Sequence, residues 1–500
     1  MIKIAFIEIS EKINRNWCPN LVYALVKSDL RREKYDCDIL RLDKNELFGD
    51  SAIQKIFCDL LTKEQYSLIG IQSSVSVYVV EIIRKVLPRA KIVIGGSNSI
   101  SYLDKESYDF LIHGPARESI LKLVYFMNNK TSLNQIPNLF YKKDNLIFHS
   151  GLVKEFDIKS ELKDFSPDFT RINFGLMKSL KITTANVVSS LGCPYNSSIC
   201  RNPIYKNIII NANNLKNLDN SAKKIVSTYY NKIGKGCSFC NICADRNFNS
   251  LPNYELIPFI VEQIKYLTLR YPNLERIQIN DENSFRFIDL LMQELLFSKI
   301  KPLELLLAGR ADYFLINYNK IGKALEYIKG TKFIINIACI GFENFSQKEL
   351  NIYNKGISVN QNISALKQLS ALEENYPSNF SYKKDRDHGF IFINPWTTLD
   401  DLRINLSYIE KYNLVQLMNP NYPILYQLAI YPYTPIYYLA KHEGLLLDII
   451  KLSYSQYGWI IKDKSLKKSI CNFYKYFNFY KIKFNNDSLD MQKLILSKLI

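Results

Sequence analysis

Residues 91–96 read Lys91-Ile92-Val93-Ile94-Gly95-Gly96, three consecutive β-branched residues followed by two glycines. A short uninterrupted apolar run ended by turn residues is the pattern of a strand buried on both faces. Reading outward from it gives a regular alternation. Lys3–Ile9 is strand-like, and Leu21–Arg32 places Leu21, Val22, Leu25, Val26 and Leu30 on one helical face. Cys37–Leu42 and Ser67–Ile71 return to strand, Val77–Leu87 is helical, Asp109–His113 is strand and Glu118–Met127 helix. Five strands with helices between them predict a doubly wound parallel sheet of flavodoxin-like type, because parallel neighbours need crossover connections. Ligands of such sheets sit beyond the carboxyl ends of the strands, here near Ser73-Ser74, Gly95-Gly96-Ser97 and Gly114. Ordinary strand-to-helix turns account for the same glycines.

Residues 131–181 read as a connector, with a hairpin over Leu139–Phe148 that turns at Lys143-Asp144-Asn145 and a loop at Ser166-Pro167-Asp168. The alternation then resumes on a longer scale. Strands are predicted near Thr184–Ser189, Arg276–Asn280, Leu303–Ala308, Phe333–Ile340, Gly389–Ile393 and Gln427–Tyr431. Helices are predicted at Glu255–Leu269, Phe287–Phe297, Tyr318–Ile328, Val359–Glu373 and Leu399–Lys411. Six such units predict a partial (β/α)6 barrel of TIM type over residues 182–440, with its chemistry at the C-terminal strand ends. The chain is therefore expected to be α/β, with a sheet domain over 1–130, the connector, the barrel and a helical, basic C-terminal tail over 441–500.

Composition supports this reading. In 500 residues, 47% hydrophobic and 13% aromatic, more than one core can form, and disorder is excluded as the main state. The apolar runs fall short of the ~18–20 residues of a membrane span. Charged residues stand near the N-terminus, so a cytoplasmic chain with no membrane span is expected. The net charge, 65 − 48 = +17, is spread along the chain apart from a Lys-rich tail and reads as a solvated basic surface. Nucleic acid is not the expected partner.

Of ten cysteines, Cys18, Cys37, Cys58, Cys339 and Cys471 are scattered and read as small buried apolar residues. The other five, Cys193, Cys200, Cys237, Cys240 and Cys243, share the loop after the first barrel strand, where a barrel keeps its active site. Thiols gathered in one loop suit an iron–sulfur cluster, and four of them would equally suit zinc.

Motifs along the chain resemble the radical SAM superfamily, in the branch where a cobalamin (B12)-binding domain precedes the core. They are Ile92-Val93-Ile94-Gly95-Gly96 with Gly114-Pro115-Ala116-Arg117-Glu118, the connector Ile136-Pro137-Asn138-Leu139, Asn280-Asp281-Glu282, Gly309-Arg310-Ala311-Asp312, Ile340-Gly341-Phe342-Glu343 with Asn354-Lys355-Gly356, and Tyr431-Pro432-Tyr433-Thr434-Pro435. The usual Gly-Cys-x-x-x-Cys-x-aromatic-Cys run is absent. Excising residues 197–236 joins Cys193-Pro194-Tyr195-Asn196 to Cys237-Ser238-Phe239-Cys240 and restores it. The resemblance thus implies Cys193, Cys237 and Cys240 as ligands of a 4Fe-4S cluster, with an insertion over 197–236 and Cys243 as the alternative third ligand.

The same resemblance implies S-adenosylmethionine bound at the open iron and cleaved to a 5′-deoxyadenosyl radical. Phe239, Arg310 and Glu343 would contact that cofactor, with Arg310 and Glu343 matched to its carboxylate and ribose. Asp281 and Glu282 are placed for substrate polar groups. Gly95, Gly96 and Gly114 would line a cobalamin site, although the Asp-x-His-x-x-Gly run that supplies a cobalt ligand in many cobalamin domains is missing and His113 reads as structural. The implied function is a methyltransferase acting on a small natural product, lipid or peptide, fed by a one-electron reductant such as flavodoxin or ferredoxin. The alternatives are a cobalamin-independent radical SAM enzyme catalysing cyclisation, rearrangement or sulfur insertion, and a non-catalytic zinc or iron–sulfur protein.

Overall fold

A computed structural model describes residues 2–10, 17–43, 47, 49–72, 77–96, 99–103, 108–170, 172–173, 182–210, 217–232, 234–240, 248–419, 426–449 and 457–470. Cys243, Ser73-Ser74, Ser97 and the tail from 471 onward lie outside the described residues.

The first unit runs β1 (Lys3–Ser10), α1 (Leu21–Arg32), β2 (Asp36–Asp43), α2 (Ser51–Glu64), β3 (Leu68–Gln72), α3 (Val77–Val86), β4 (Lys91–Gly95), β5 (Phe110–Ile112) and α4 (Arg117–Met127). Its parallel strands lie in the order β2-β1-β3-β4-β5, the flavodoxin-like order, with the topological switch between β1 and β3. Side chains alternate across the sheet as strand geometry requires. Ile4, Phe6, Cys37 and Ile39 enter the core under α1 and α4, while Ala5, Ile7, Leu40 and Leu42 enter the core on the opposite face. The helix α2 is an addition to the sequence reading. Ile53, Ile56, Phe57, Leu60 and Leu61 recur at helical spacing in it, and Phe57 and Leu61 are the residues it buries.

The expected hairpin forms as β6 (Leu139–Lys143) and β7 (Leu146–His149) and extends the first sheet antiparallel to β5. After the short α5 (Ile158–Glu161), β8 (Ile172–Asn173) pairs with β2 and ends the sheet on the other side.

The second unit begins with β9 (Thr184–Val188) and β10 (Ser190–Leu191). The loop that follows carries α6 (Asn220–Lys232) and returns as β11 (Asn249–Ser250), antiparallel to β10. Next come α7 (Asn253–Arg270), β12 (Arg276–Asn280), α8 (Ile288–Phe297), β13 (Glu304–Arg310), α9 (Ala311–Ile316), α10 (Tyr318–Ile328), β14 (Ile334–Glu343), α11 (Gln347–Ile352), α12 (Val359–Asn375), β15 (Phe380–Ser381), β16 (Gly389–Phe390) and α13 (Leu399–Lys411). The sheet order is β15-β14-β13-β12-β9, and β16 pairs with the far end of β14; every pairing is parallel. At the amino-terminal strand ends, Arg276 Nη2 and Asn336 Nδ2 both donate to Glu304 and Asp385, which pairs these charges in one hydrogen-bonded group.

The sixth strand differs from expectation. Gln427–Tyr431 forms no strand; it makes a single parallel bridge from Gln427 to Ile393, while the unforeseen β15 joins β14 instead. Tyr426 O accepts from the backbone N–H of both Phe392 and Ile393, and Leu428 N donates to Ile393 O at 2.8 Å, so the contact is one bridge and not a ladder. Among the described residues no ladder joins β9 to β16, and the second sheet is open.

After α14 (Pro435–His442), where a helical tail was expected, β17 (Leu446–Ile449) and β18 (Tyr457–Trp459) pair antiparallel, and a helix follows over 464–470. Among the described residues no helix is long and apolar enough to cross a membrane.

Candidate functional site

The cysteine loop leaves β10 at the carboxyl end of the second sheet. Its long middle segment begins and ends at a neck: Gly236 N donates to Ser197 O at 2.8 Å, Ile199 N donates to Gly234 O at 2.8 Å, and Ser198 bridges Lys235. The chain therefore departs after Ser197 and returns at Gly236 to nearly the same place. Beyond the neck the later part of the segment docks on the first unit. Leu218 bridges Ile147 of β7, Ser221 Oγ donates to His149 O at 3.1 Å, and the Tyr229 ring stands edge-on to His113 with centroids 4.8 Å apart.

The loop proper is held by a run of carbonyls. A helix leaves its last carbonyls without intrahelical donors, and here those at the end of α11 and just beyond it are satisfied from outside. Asn202 Nδ2 donates to Asn351 O at 2.7 Å. Tyr205 and Ser238 hydroxyls donate to Ile352 O at 2.6 and 2.8 Å, and Ser238 N to Tyr353 O at 2.8 Å. Tyr195 hydroxyl donates to Asn354 O at 2.9 Å, and Arg310 Nη2 to Lys355 O at 2.5 Å. Asn354 Nδ2 answers by donating to Gly236 O at 2.7 Å, and the Phe239 ring packs edge-on to Tyr353 at 5.5 Å.

Around this seam stand the charged groups. Arg310 is buried, with its guanidinium 3.9 Å over the Tyr195 ring. Nε and Nη2 bind the two Asp312 carboxylate oxygens at 2.9 and 3.1 Å, Nη2 also reaches Lys355 O, and Nη1 donates to Cys237 Sγ at 3.3 Å. Four of the five guanidinium N–H groups are thus engaged by the chain itself.

Glu343, at the end of β14, has φ +61°, an uncommon left-handed conformation for a residue with a side chain. Its Oε1 accepts from Lys355 Nζ at 2.7 Å. Burial would lower Lys355, but Glu343 and Cys237 outweigh it and keep the ammonium charged. Glycines make room for this pair: a Cβ on Gly341 would lie 2.5 Å from Glu343 Oε1 and 2.9 Å from Lys355 Nζ, and one on Gly389 only 3.2 Å from Gly341 Cα.

Burial pushes the Cys237 thiol up to about 12, against the opposing pull of Lys355 and Arg310. Cys240 lies within electrostatic reach of Cys237, and Tyr313 of both Cys193 and Cys237. Cys200 is exposed within the segment beyond the neck. Among the described residues no three His, Cys, Asp or Glu side chains converge closely enough to hold one metal ion.

Asp281 and Glu282 part company. Asp281 is buried and occupied, accepting from Ser189 Oγ at 2.7 Å, Asn283 N at 2.7 Å and Arg286 Nη2 at 3.2 Å. Burial raises the Glu282 carboxyl, with Asp281 adding to the effect and Lys355 opposing it. Cys339, read from sequence as a bland core thiol, lies within electrostatic reach of Asp387, Glu343, Lys355 and Glu282.

The two sheets face each other across a cavity of about 410 Å³, in the size range of ligand sites. Gly95, Gly96 and Gly114 line it from the first sheet, and Asn186, Leu191 and Asn280 from the second. Gly96 and Gly114 have φ +101° and +128°, so both glycines serve the turn as well as the cavity. His113 is hydrogen-bonded through Nδ1 to Ser99 Oγ at 3.1 Å and covered by Tyr229, in keeping with a structural histidine.

Solved structures share this two-sheet arrangement. OxsB, a cobalamin-dependent S-adenosylmethionine radical enzyme solved with aqua-cobalamin and S-adenosylmethionine bound, matches with TM-score 0.60 and 16% identity over 99% of this chain and 70% of its own. The chain has the fold of the cobalamin-dependent radical SAM enzymes. TsrM from Kitasatospora setae, a radical S-adenosylmethionine methyltransferase solved with cobalamin and a 4Fe-4S cluster, matches with TM-score 0.54 and 12% identity over 87% of this chain and 74% of its own. No protein-family model and no curated protein matches the sequence.

Within this radical SAM fold, the groups around Arg310 and Glu343 that sequence reasoning left without a role are Tyr195, Asp312, Lys355 and Gly356. Asn354-Lys355-Gly356 was visible as a motif. Its partnership with the cysteine loop was not, because it spans 118 positions from Gly236 to Asn354.

Proposed function

We propose that this chain is a cobalamin-dependent radical SAM enzyme that methylates a carbon of a small natural product, lipid or peptide. Cys193, Cys237 and Cys240 would hold a 4Fe-4S cluster, Phe239 and Glu343 would contact S-adenosylmethionine, and the cavity over Gly95, Gly96 and Gly114 would take cobalamin. The observation that supports this reading is the neck at Ser197 and Gly236, where the chain leaves after Cys193-Pro194-Tyr195-Asn196 and returns just before Cys237.

The donor set is one a cluster takes: Cys240 lies within electrostatic reach of Cys237 on the same loop, and Tyr313 within reach of both Cys193 and Cys237. When bound, the cluster and S-adenosylmethionine supply one-electron radical chemistry and cobalamin carries the methyl group.

The chain's own residues bind, orient and exclude water. Lys355 orients the Glu343 carboxylate through Oε1, leaving Oε2 to accept from a ribose hydroxyl. Phe239, packed on Tyr353, forms an apolar wall beside the thiols. Glu282 supplies a carboxyl with a raised proton affinity near Lys355 and Cys339, placed to bind a polar group of the substrate.

Anaerobic purification followed by reconstitution with iron and sulfide tests the reading. Cluster absorbance, 5′-deoxyadenosine formed from S-adenosylmethionine and a retained corrinoid spectrum are expected. Zinc in place of iron and no S-adenosylmethionine cleavage would sink it. Iron content should collapse in Cys193→Ala, Cys237→Ala and Cys240→Ala and persist in Cys200→Ala.

A further inference from the structure

We infer that Arg310 acts on the iron–sulfur cluster through Cys237: it is a positioning residue whose guanidinium hydrogen-bonds the ligand sulfur and makes the cluster easier to reduce. The inference rests on the proposed function, in which Cys237 is a cluster ligand, and it replaces the carboxylate-binding role that the family resemblance implied for Arg310.

Three observations carry it. Nη1 lies 3.3 Å from Cys237 Sγ, within donor distance of a sulfur. The guanidinium is fixed on its other sides by both Asp312 oxygens, by Lys355 O and by the Tyr195 ring 3.9 Å away, so Nη1 has one direction in which to point. Arg310 and Cys237 are both buried, 5% and 7% exposed, so water screens the contact little.

A clamp for a free carboxylate needs two parallel N–H groups. Here only one remains uncommitted. The fork geometry is particular to arginine, since a lysine could not hold Asp312, Lys355 O and the sulfur together.

Reduction adds one electron to the cluster from a low-potential donor, and the added negative charge spreads onto the sulfurs. A hydrogen bond from a cationic group to a ligand sulfur stabilises that reduced state more than the oxidised one, which is how such bonds tune cluster potentials.

The test is a redox titration of the reconstituted full-length protein without S-adenosylmethionine, using dithionite and followed by electron paramagnetic resonance, alongside iron and sulfide analysis. In Arg310→Gln the potential should become more negative by about 59 mV, a tenfold fall in the one-electron reduction constant. In Asp312→Asn, which removes a negative charge beside the guanidinium and leaves Arg310 in place, it should move in the positive direction. Arg310→Gln with a full cluster at the wild-type potential overturns the inference, and does so doubly if that variant loses affinity for S-adenosylmethionine. If Arg310→Gln fails to load a cluster, Asp312→Asn decides, and an unchanged potential there overturns it. Wild-type protein that loads no cluster defeats the proposed function itself, a result read from iron analysis and not from the potential.

Discussion

The Tyr195 hydroxyl occupies the space that a Cβ on Gly356 would fill, so the cysteine loop reaches the Asn354 carbonyl only over a glycine. Gly356 also has φ +68°, where a side chain adds strain. In Gly356→Ala the new methyl would meet Tyr195 Cζ at 2.9 Å. The ring must move, carrying away its hydrogen bond and its stacking on Arg310. Denaturant unfolding should show a loss of about 1–3 kcal/mol, and iron content after reconstitution should fall with it.

The buried Lys355–Glu343 pair should behave as a coupled unit. Lys355→Met leaves a carboxylate buried without its cation, a loss of about 3–5 kcal/mol. Lys355→Met combined with Glu343→Gln removes the orphaned charge and should regain most of that stability. A double-mutant cycle by chemical denaturation checks this, and additive losses would contradict the pairing.

Gly95 separates fold from ligand. A Cβ there meets only Ile112 O, at 3.7 Å, and its φ is not in the left-handed region, so the backbone tolerates a side chain. Because the residue lines the inter-sheet cavity, Gly95→Leu should abolish corrinoid retention while leaving the melting temperature close to wild type. Gly114→Ala, by contrast, should lower both, since its φ is +128° and the methyl would lie 2.9 Å from Asn138 Nδ2.

The neck predicts that residues 198–235 are dispensable for the thiols. Joining Ser197 to Gly236 through a short glycine link should preserve iron content per chain. Stability should fall, because Ile147 and His149 lose their contacts with Leu218 and Ser221 and the Asn351 and Ile352 carbonyls lose their donors Asn202 and Tyr205, while Ser238 still holds Ile352 O. Loss of iron in a variant that still unfolds cooperatively would contradict the loop assignment.

His388 makes stability depend on pH. It is buried, its Nε2 donates to Tyr382 O at 2.6 Å, and its Nδ1 accepts from Ile340 N at 3.1 Å, which fixes the neutral form. Burial lowers it from 6.5 to about 4. The unfolded chain therefore binds the proton first as pH falls. The stabilisation is complete above pH 6.5 and is lost toward pH 4, at about 1.4 kcal/mol per pH unit for one proton. His388→Gln should flatten that part of the stability profile, and its ring resonances in the wild type should not titrate above pH 5.

Much of the fold was legible because its signals are local. The helices Leu21–Arg32, Tyr318–Ile328 and Leu399–Lys411 form over the stretches their periodicity marked, and β12 over Arg276–Asn280. The same helical period is present over α2, in Ile53, Ile56, Phe57, Leu60 and Leu61. The weak points were elements of very few residues: β15, with two, and Gln427, with one bridge. No periodic pattern accumulates over so few positions.

By itself the sequence determined the succession of strands and helices, the flavodoxin-like character of the first sheet and the set of thiols worth considering. These follow from burial on two faces of a strand or one face of a helix, which leaves its mark within a few residues. The tertiary structure alone decided that Ser197 meets Gly236, that Arg310 faces Cys237 across 73 positions, and that Lys355 is spoken for by Glu343. Such pairings are made by turned side chains and spare helix-end carbonyls brought together when the sheets close, and no periodicity records them.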